Sequence, residues 1–224
     1  MLENNRLVIA IDDEEMGNNH VSTSYHTPLK KDAFMQSDEV KINLIEKHFQ
    51  EIINILGLDL KDDSLKGTPK RVAKMYVKEI FNGLNPANAP KIALFDNKYN
   101  YNEMLVEKNI SFYSNCEHHF VPIVGKAHVA YIAQDKVIGL SKINRIVQYF
   151  AKRPQVQERL TVQIANYLKE VMQIEDVAVM IDAVHLCVSS RGVEDTSSST
   201  ITSSFNGKFN TDQYRNEFLQ LIKN

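Results

Sequence analysis

The stretch MLVEKNISFYSNCEHHFVPIVGKAHVAYI, residues 104–132, decides how this chain folds. Met104, Val106, Ile110 and Phe112 alternate with more polar neighbours, and Ile123, Ala127, Val129 and Tyr131 repeat the pattern further on. A period of two belongs to strands that bury one face. Between the two runs lies Asn115-Cys116-Glu117-His118-His119, a turn-like segment rich in groups that can bind metal or move protons.

Working outward, a helix is expected from Ser141 to about Lys152, carrying Ile143, Ile146, Val147 and Phe150 at helical spacing. Arg153-Pro154 breaks it, and a second helix over about 155–172 carries Leu160, Ile164, Tyr167, Leu168 and Val171. Residues 176–188 are apolar on both faces, as in a buried strand. A β-rich run at 200–205 and a short helix near 211–222 follow. Towards the N-terminus, Ile45, Phe49, Ile52, Ile53 and Leu56 mark a helix over 39–56, with Ser37 or Asp38 as its cap. Thr68-Pro69 opens another, whose stripe is Val72, Met75, Tyr76 and Ile80. This order predicts an α+β fold, an antiparallel sheet with two helices on one face, preceded by N-terminal helices. Three segments are expected: a flexible polar arm over 1–37, a helical region over 38–102, and the sheet domain over 103–224.

Length and composition narrow the function. The 224 residues can bury a substantial core, and no apolar run is long enough to cross a bilayer or serve as a secretion signal. A net charge of −2 gives no reason to expect nucleic-acid binding, while leaving room for a local cationic pocket. Two cysteines, Cys116 and Cys187, cannot make a disulfide scaffold, and a reducing, cytoplasmic setting is expected.

Both cysteines stand beside histidines. Cys116 and His119 are three residues apart, a spacing that a turn can wrap around a tetrahedral ion. On the predicted strand, His185 and Cys187 are two apart and share a face. Cys116, His119 and Cys187 can therefore offer zinc three ligands and leave its fourth position open, with His118 and His185 free for proton transfer. A buried thiol pair with surface histidines, or one disulfide, fits the spacing as well. Ser141 is placed to cap a helix, with Lys142 next to it and Arg145 one turn on. Such a start can bind phosphate, and it also describes an ordinary amphipathic helix with solvated cations. Glu158 gains from the helix dipole at the next helix start, and it can also accept two hydrogen bonds from a guanine edge. Arg191-Gly192 follows Cys187 closely.

Taken together, Cys116-Glu-His-His-Phe-Val-Pro122, Gly139-Leu-Ser-Lys-Ile-Asn-Arg-Ile-Val147 and Arg153-Pro-Gln-Val-Gln-Glu-Arg-Leu160 resemble the successive signatures of the GTP cyclohydrolase I family. His185-Leu-Cys187, Arg191-Gly192, Thr200-Ile-Thr-Ser and the helix Thr68 to Tyr76 extend the resemblance over about residues 40–222. It implies the tunnelling fold, a four-stranded antiparallel sheet with two helices. It also implies a zinc enzyme, one Zn2+ per subunit, that opens the imidazole ring of GTP and releases formate. The product would be 7,8-dihydroneopterin triphosphate, at the first step of pterin and tetrahydrofolate synthesis.

Residue by residue, the resemblance implies that Cys116, His119 and Cys187 hold zinc and that His118 and His185 transfer protons. Glu158, helped by Gln157, would take guanine. Ser141, Lys142, Arg145 and Arg191 would bind the triphosphate and ribose side, with Arg71 contributing from a neighbouring subunit. Partners would be further copies, two pentamers stacked as a decamer with sites at subunit interfaces, and neither nucleic acid nor membrane. Two other readings compete: a tunnelling-fold enzyme with a cysteine nucleophile, and a zinc-stabilised assembly module whose fourth protein ligand closes the site.

Overall fold

The computed structural model describes residues 24–223. The acidic patch Asp12 to Glu15, part of the arm expected over 1–37, lies outside the described residues. Helix α1 (Asp38–Ile55) starts where Ser37 accepts a hydrogen bond from the Val40 amide. Helix α2 (Thr68–Met75) is capped one residue earlier than its sequence suggests, by Gly67, and runs into a single π-helical turn at Tyr76–Ile80. A two-stranded ribbon pairs β1 (Leu94–Asp96) with β4 (Lys136–Ile138).

The main sheet contains β2 (Met104–Cys116), β3 (Pro122–Ile132), the two-residue β5 (Pro154–Gln155), β6 (Val177–His185) and β7 (Thr200–Phe205). Its order is β5-β2-β3-β6-β7, antiparallel throughout except for β5, which runs parallel to the end of β2. The chain thus mixes helices and sheet as the α+β reading expects, with β5 as an added fifth strand. That strand forms because Arg153-Pro154 ends a helix and leaves two extended residues beside Asn115 and Cys116.

Helices α3 (Leu140–Ala151) and α4 (Gln157–Met172) cover one sheet face. Ile143, Ile146, Leu160, Ile164 and Leu168 meet Phe112, Ile123, Val129, Tyr131 and Ile181 in a core from which these side chains are wholly excluded from water. Each such burial is worth about 1.5–3 kcal/mol, which makes this layer the main source of stability. The other face is not bare. Helix α6 (Asp212–Ile222) lays Phe218 and Ile222 over Met104, Ala130, Ile132 and Ala178 in a second cluster with Phe209. Hence β3 is buried on both sides towards its C-terminal end, although its sequence alternates less there than a one-faced strand would.

Two sequence expectations need correction. Strand β6 stops at His185, and Leu186–Ser189 form one helical turn, α5, so Cys187 does not share a strand face with His185. The apolar run Val184 to Val188 continues past the last ladder partner, Ile123, and hydropathy alone does not mark that end. Ser141 is also not a helix cap. Leu140 is already helical, Gly139 takes the cap position without any side-chain bond, and the Lys142 amide donates to the Gly139 carbonyl at 2.7 Å.

Candidate metal centre and active site

The site is built where the ends of β2, β3 and β6 meet the start of α4. The Cys116 amide donates to Val121 O, and Phe120, held at φ +54, donates back to Cys116 O. This closes the turn that carries Glu117, His118 and His119. A register of Ile123 opposite His185 brings the end of β6 alongside, and α5 then swings Cys187 inward. The result is a group in which the ligand atoms of Cys116, His119 and Cys187 all lie within 4.8 Å of one another.

The donor set can be tested against an ion. Zinc bond lengths of about 2.0–2.3 Å place tetrahedral donors roughly 3.5–3.8 Å apart, so closing on an ion needs a contraction of about 1 Å at the widest pair. Two sulfurs and one imidazole suit a borderline-soft cation far better than magnesium or calcium. Among the described residues the group has three members, which leaves a coordination position open. Both cysteines are free thiols. Burial pushes the Cys187 thiol up to about 11, and the neighbouring Cys116 adds to the shift. A cation that binds there must displace protons, so its affinity depends on pH.

Around this group opens a cavity of about 590 Å3, lined by His118, Glu158, His185 and Gln155 as well as both cysteines. His118 is exposed, and its Nδ1 lies 3.7 Å from Cys116 Sγ. His185 is half-buried, with its Nε2 2.7 Å from Gln157 Oε1. Desolvation lowers the His185 pKa, and Glu158 partly offsets this. Glu158 sits in the first turn of α4, exposed to the cavity, where the positive end of the helix favours its charge. Arg191 reaches the group too, with Nη1 3.1 Å from His119 Nε2.

The remaining triphosphate-binding candidates are not brought there. Ser141, Lys142 and Arg145 do not line the cavity. They belong to the first half of α3, a helix of 12 residues or about 18 Å, and only its far end leads to β5 beside Cys116. Arg71 is occupied locally, donating to Thr68 Oγ1 and Ser64 O.

Two features of the site escape sequence reasoning. Arg159 and Glu117 form a two-pronged ion pair at 2.6 and 3.0 Å, with the arginine side chain 4% exposed. The pair ties the ligand-bearing turn to α4, and the Glu117 amide also donates to Gln155 O. Gln155 itself is fully buried, and its Oε1 finds no partner among the described residues. An orphaned acceptor at a cavity wall is costly unless a ligand or water meets it. The charge pattern Glu-His-His and Gln-Glu-Arg was visible in the sequence, but which members pair depends on tertiary approach.

Comparison with known proteins bears on all of this. The family model described as GTP cyclohydrolase I matches residues 45–223. The chain is 60% identical over 210 residues to the GTP cyclohydrolase 1 of Flavobacterium johnsoniae, covering 94% of each. It is 53% identical over 204 residues to the proteins of that name from an Enterobacter species and from Escherichia coli, covering 91% of this chain and 92% of theirs. A match of this extent spans the turn, the helix start and both cysteines in a single alignment, and the chain therefore belongs to the GTP cyclohydrolase I family.

Proposed function

We propose that this chain is a zinc-dependent GTP cyclohydrolase I, which opens the imidazole ring of GTP, releases C8 as formate and yields 7,8-dihydroneopterin triphosphate. The observation that carries the reading is the convergence of Cys116, His119 and Cys187 on one point, beside a cavity holding two further histidines and Glu158. These three residues would hold the ion. Zinc in such a setting supplies a nucleophile at neutral pH by bringing the pKa of a coordinated water to about 7.

The chain's own residues do the rest. Glu158 takes the N1–H and 2-amino donors of guanine, which fixes the base with its imidazole edge towards the histidines. His118, next to the ligand group, gives a proton to N7 as the ring opens, and His185 serves the later rearrangement of the ribose carbons. Arg191 adds positive charge at the mouth of the site.

A triphosphate carries about four negative charges and needs several cations to hold it. Among the described residues the cavity lining has one, Arg159, already neutralised by Glu117. This supports a site completed by Ser141, Lys142, Arg145 and Arg71 of neighbouring subunits, in a tunnelling-fold decamer of two pentamers. Free thiols at the site suit a cytoplasmic enzyme, where they stay reduced. The first step of pterin and tetrahydrofolate synthesis is the place such a reaction takes.

Incubation with GTP and equimolar zinc, following formate and pterin absorbance, tests the reading. Formate and pterin should appear together. Cys187→Ala should lose zinc and at least 100-fold in turnover, on the order of what general acid–base or metal activation supplies. Undiminished turnover in that variant, stripped of metal, would sink the metal role.

A further inference from the structure

Gln157 is buried, and its amide makes a closed set of bonds. Nε2 lies 2.8 Å from Thr200 O, 3.2 Å from Ile181 O and 3.1 Å from Thr202 Oγ1, while Oε1 lies 2.7 Å from His185 Nε2. Which end of an amide is nitrogen can be decided from its partners. Two of the partners are main-chain carbonyls, which only accept, so the NH2 must face them.

The third partner follows from the next link. Thr161 Oγ1 is 2.9 Å from Gln157 O, again an acceptor, so the single Thr161 proton goes there. Thr161 Oγ1 must then accept from the Thr202 hydroxyl, 2.6 Å away. With that proton committed, Thr202 Oγ1 accepts from Gln157. The two amide protons are thus shared among three acceptors, Thr200 O, Ile181 O and Thr202 Oγ1, and Oε1 is left facing His185 as an acceptor. A neutral imidazole has one N–H, and here it must be on Nε2. The ring's lone pair is then on Nδ1.

We infer that Gln157 is a positioning residue: fastened to β6 and β7, it holds His185 in the Nε2–H tautomer, so that His185 takes up and returns its proton at Nδ1. The inference rests on the reading of His185 as a proton carrier. It also gives Gln157 a role other than touching guanine, since both amide protons are spent on the protein's own carbonyls and hydroxyl. The acceptors come from two strands and the residue itself from α4, so the tautomer is set by the packing of helix on sheet. A mis-set tautomer presents an N–H where the reaction needs a base, which acts on turnover and leaves the grip on substrate intact.

Neutron diffraction on deuterium-exchanged crystals of the zinc-loaded protein, at alkaline pH where imidazole is neutral, reads the tautomer directly. Deuterium should appear on His185 Nε2 and be absent from Nδ1; deuterium on Nδ1 instead overturns the inference. This measurement does not depend on turnover, so it stands even if the unaltered protein releases no formate from GTP. The second arm is Gln157→Met, which keeps an unbranched side chain of similar length and removes the acceptor. Its kcat should fall by roughly tenfold to a hundredfold, with KM for GTP held within about twofold and zinc content unchanged. A raised KM at unchanged kcat would make Gln157 a guanine contact, and unchanged kinetics would deny it any role; either overturns the inference. Should the variant fail to fold, the neutron result on the unaltered protein decides alone.

Discussion

At Arg159 one guanidinium joins three segments. It grips both oxygens of Glu117 in the ligand-bearing turn, donates from Nε to Ser24 O at 2.7 Å, and belongs to α4, one residue after Glu158. The pair is almost dry on the arginine side, so removing one partner leaves a carboxylate without compensation. Arg159→Met should cost about 3 kcal/mol in urea unfolding and reduce zinc retention as the turn loosens. Adding Glu117→Gln should recover much of that loss, because the stranded charge is then gone. Equal losses in the single and double variants would show that the pair is not what holds the turn.

Elements meet at Gly83, where the N-terminal helical region touches the end of α3. The Gly83 amide donates to Lys152 O at 3.0 Å, and its carbonyl accepts from Arg153 Nε at 2.8 Å. Arg153 in turn stacks on Tyr149 and Phe150, with its guanidinium 4.5 and 4.4 Å from the ring centres. A Cβ at Gly83 would stand 2.0 Å from Tyr149 O and 2.8 Å from Lys152 O, both backbone atoms that cannot step aside. Gly83→Ala should therefore destabilise by about 3 kcal/mol or more. Gly192→Ala makes a fair comparison. Its φ of +65 strains an alanine, but nothing lies within 4 Å of the new Cβ, and the cost should stay near 1 kcal/mol. Urea midpoints of the two variants check the difference.

The elements themselves were largely legible. Helical spacing at Ile143 to Phe150 and Leu160 to Val171 depends on local geometry, so α3 and α4 fall where their apolar stripes place them. Strand β5 and the end of β6 were not legible, for a shared reason. A two-residue strand has no period to read, and an apolar run says nothing about where its ladder partner ends.

At the scale of the whole molecule, the proposed triphosphate-binding residues Ser141, Lys142 and Arg145 do not line the cavity that holds Cys187, and the proposed assembly would supply them from neighbouring subunits. Mixed assemblies of Cys187→Ala and Lys142→Ala chains should regain activity that neither has alone. In a random equal mixture about a quarter of interfaces pair the two intact halves, and turnover near that fraction is expected. No recovery would place both residues in one subunit's site.

Stability should also depend on pH through His128 on β3. Burial lowers its pKa, Asp182 opposes this, and Lys126 and Lys108 add to the lowering. Its Nδ1 accepts from the Asn109 amide at 3.5 Å. Above the unfolded value of about 6.5 both states are neutral and the contribution is complete. As pH falls below that value the unfolded chain binds a proton that the folded one resists, and stability declines until the folded pKa is passed. Urea midpoints between about pH 7.5 and pH 5.5 should fall in the unaltered protein and less steeply in His128→Gln.

By itself the sequence determined the α+β layering, the two helices on the sheet, the ligand-bearing turn and the residue types that could bind a metal, because periodicity and short spacing are local properties. The approach of Cys116 to Cys187 across 71 residues of chain, the contact of His185 with Gln157, the Arg159–Glu117 pair and the absence of Lys142 from this chain's cavity were decided only in the tertiary structure. Those features depend on strand register and helix docking, and no residue's neighbours along the chain carry that information.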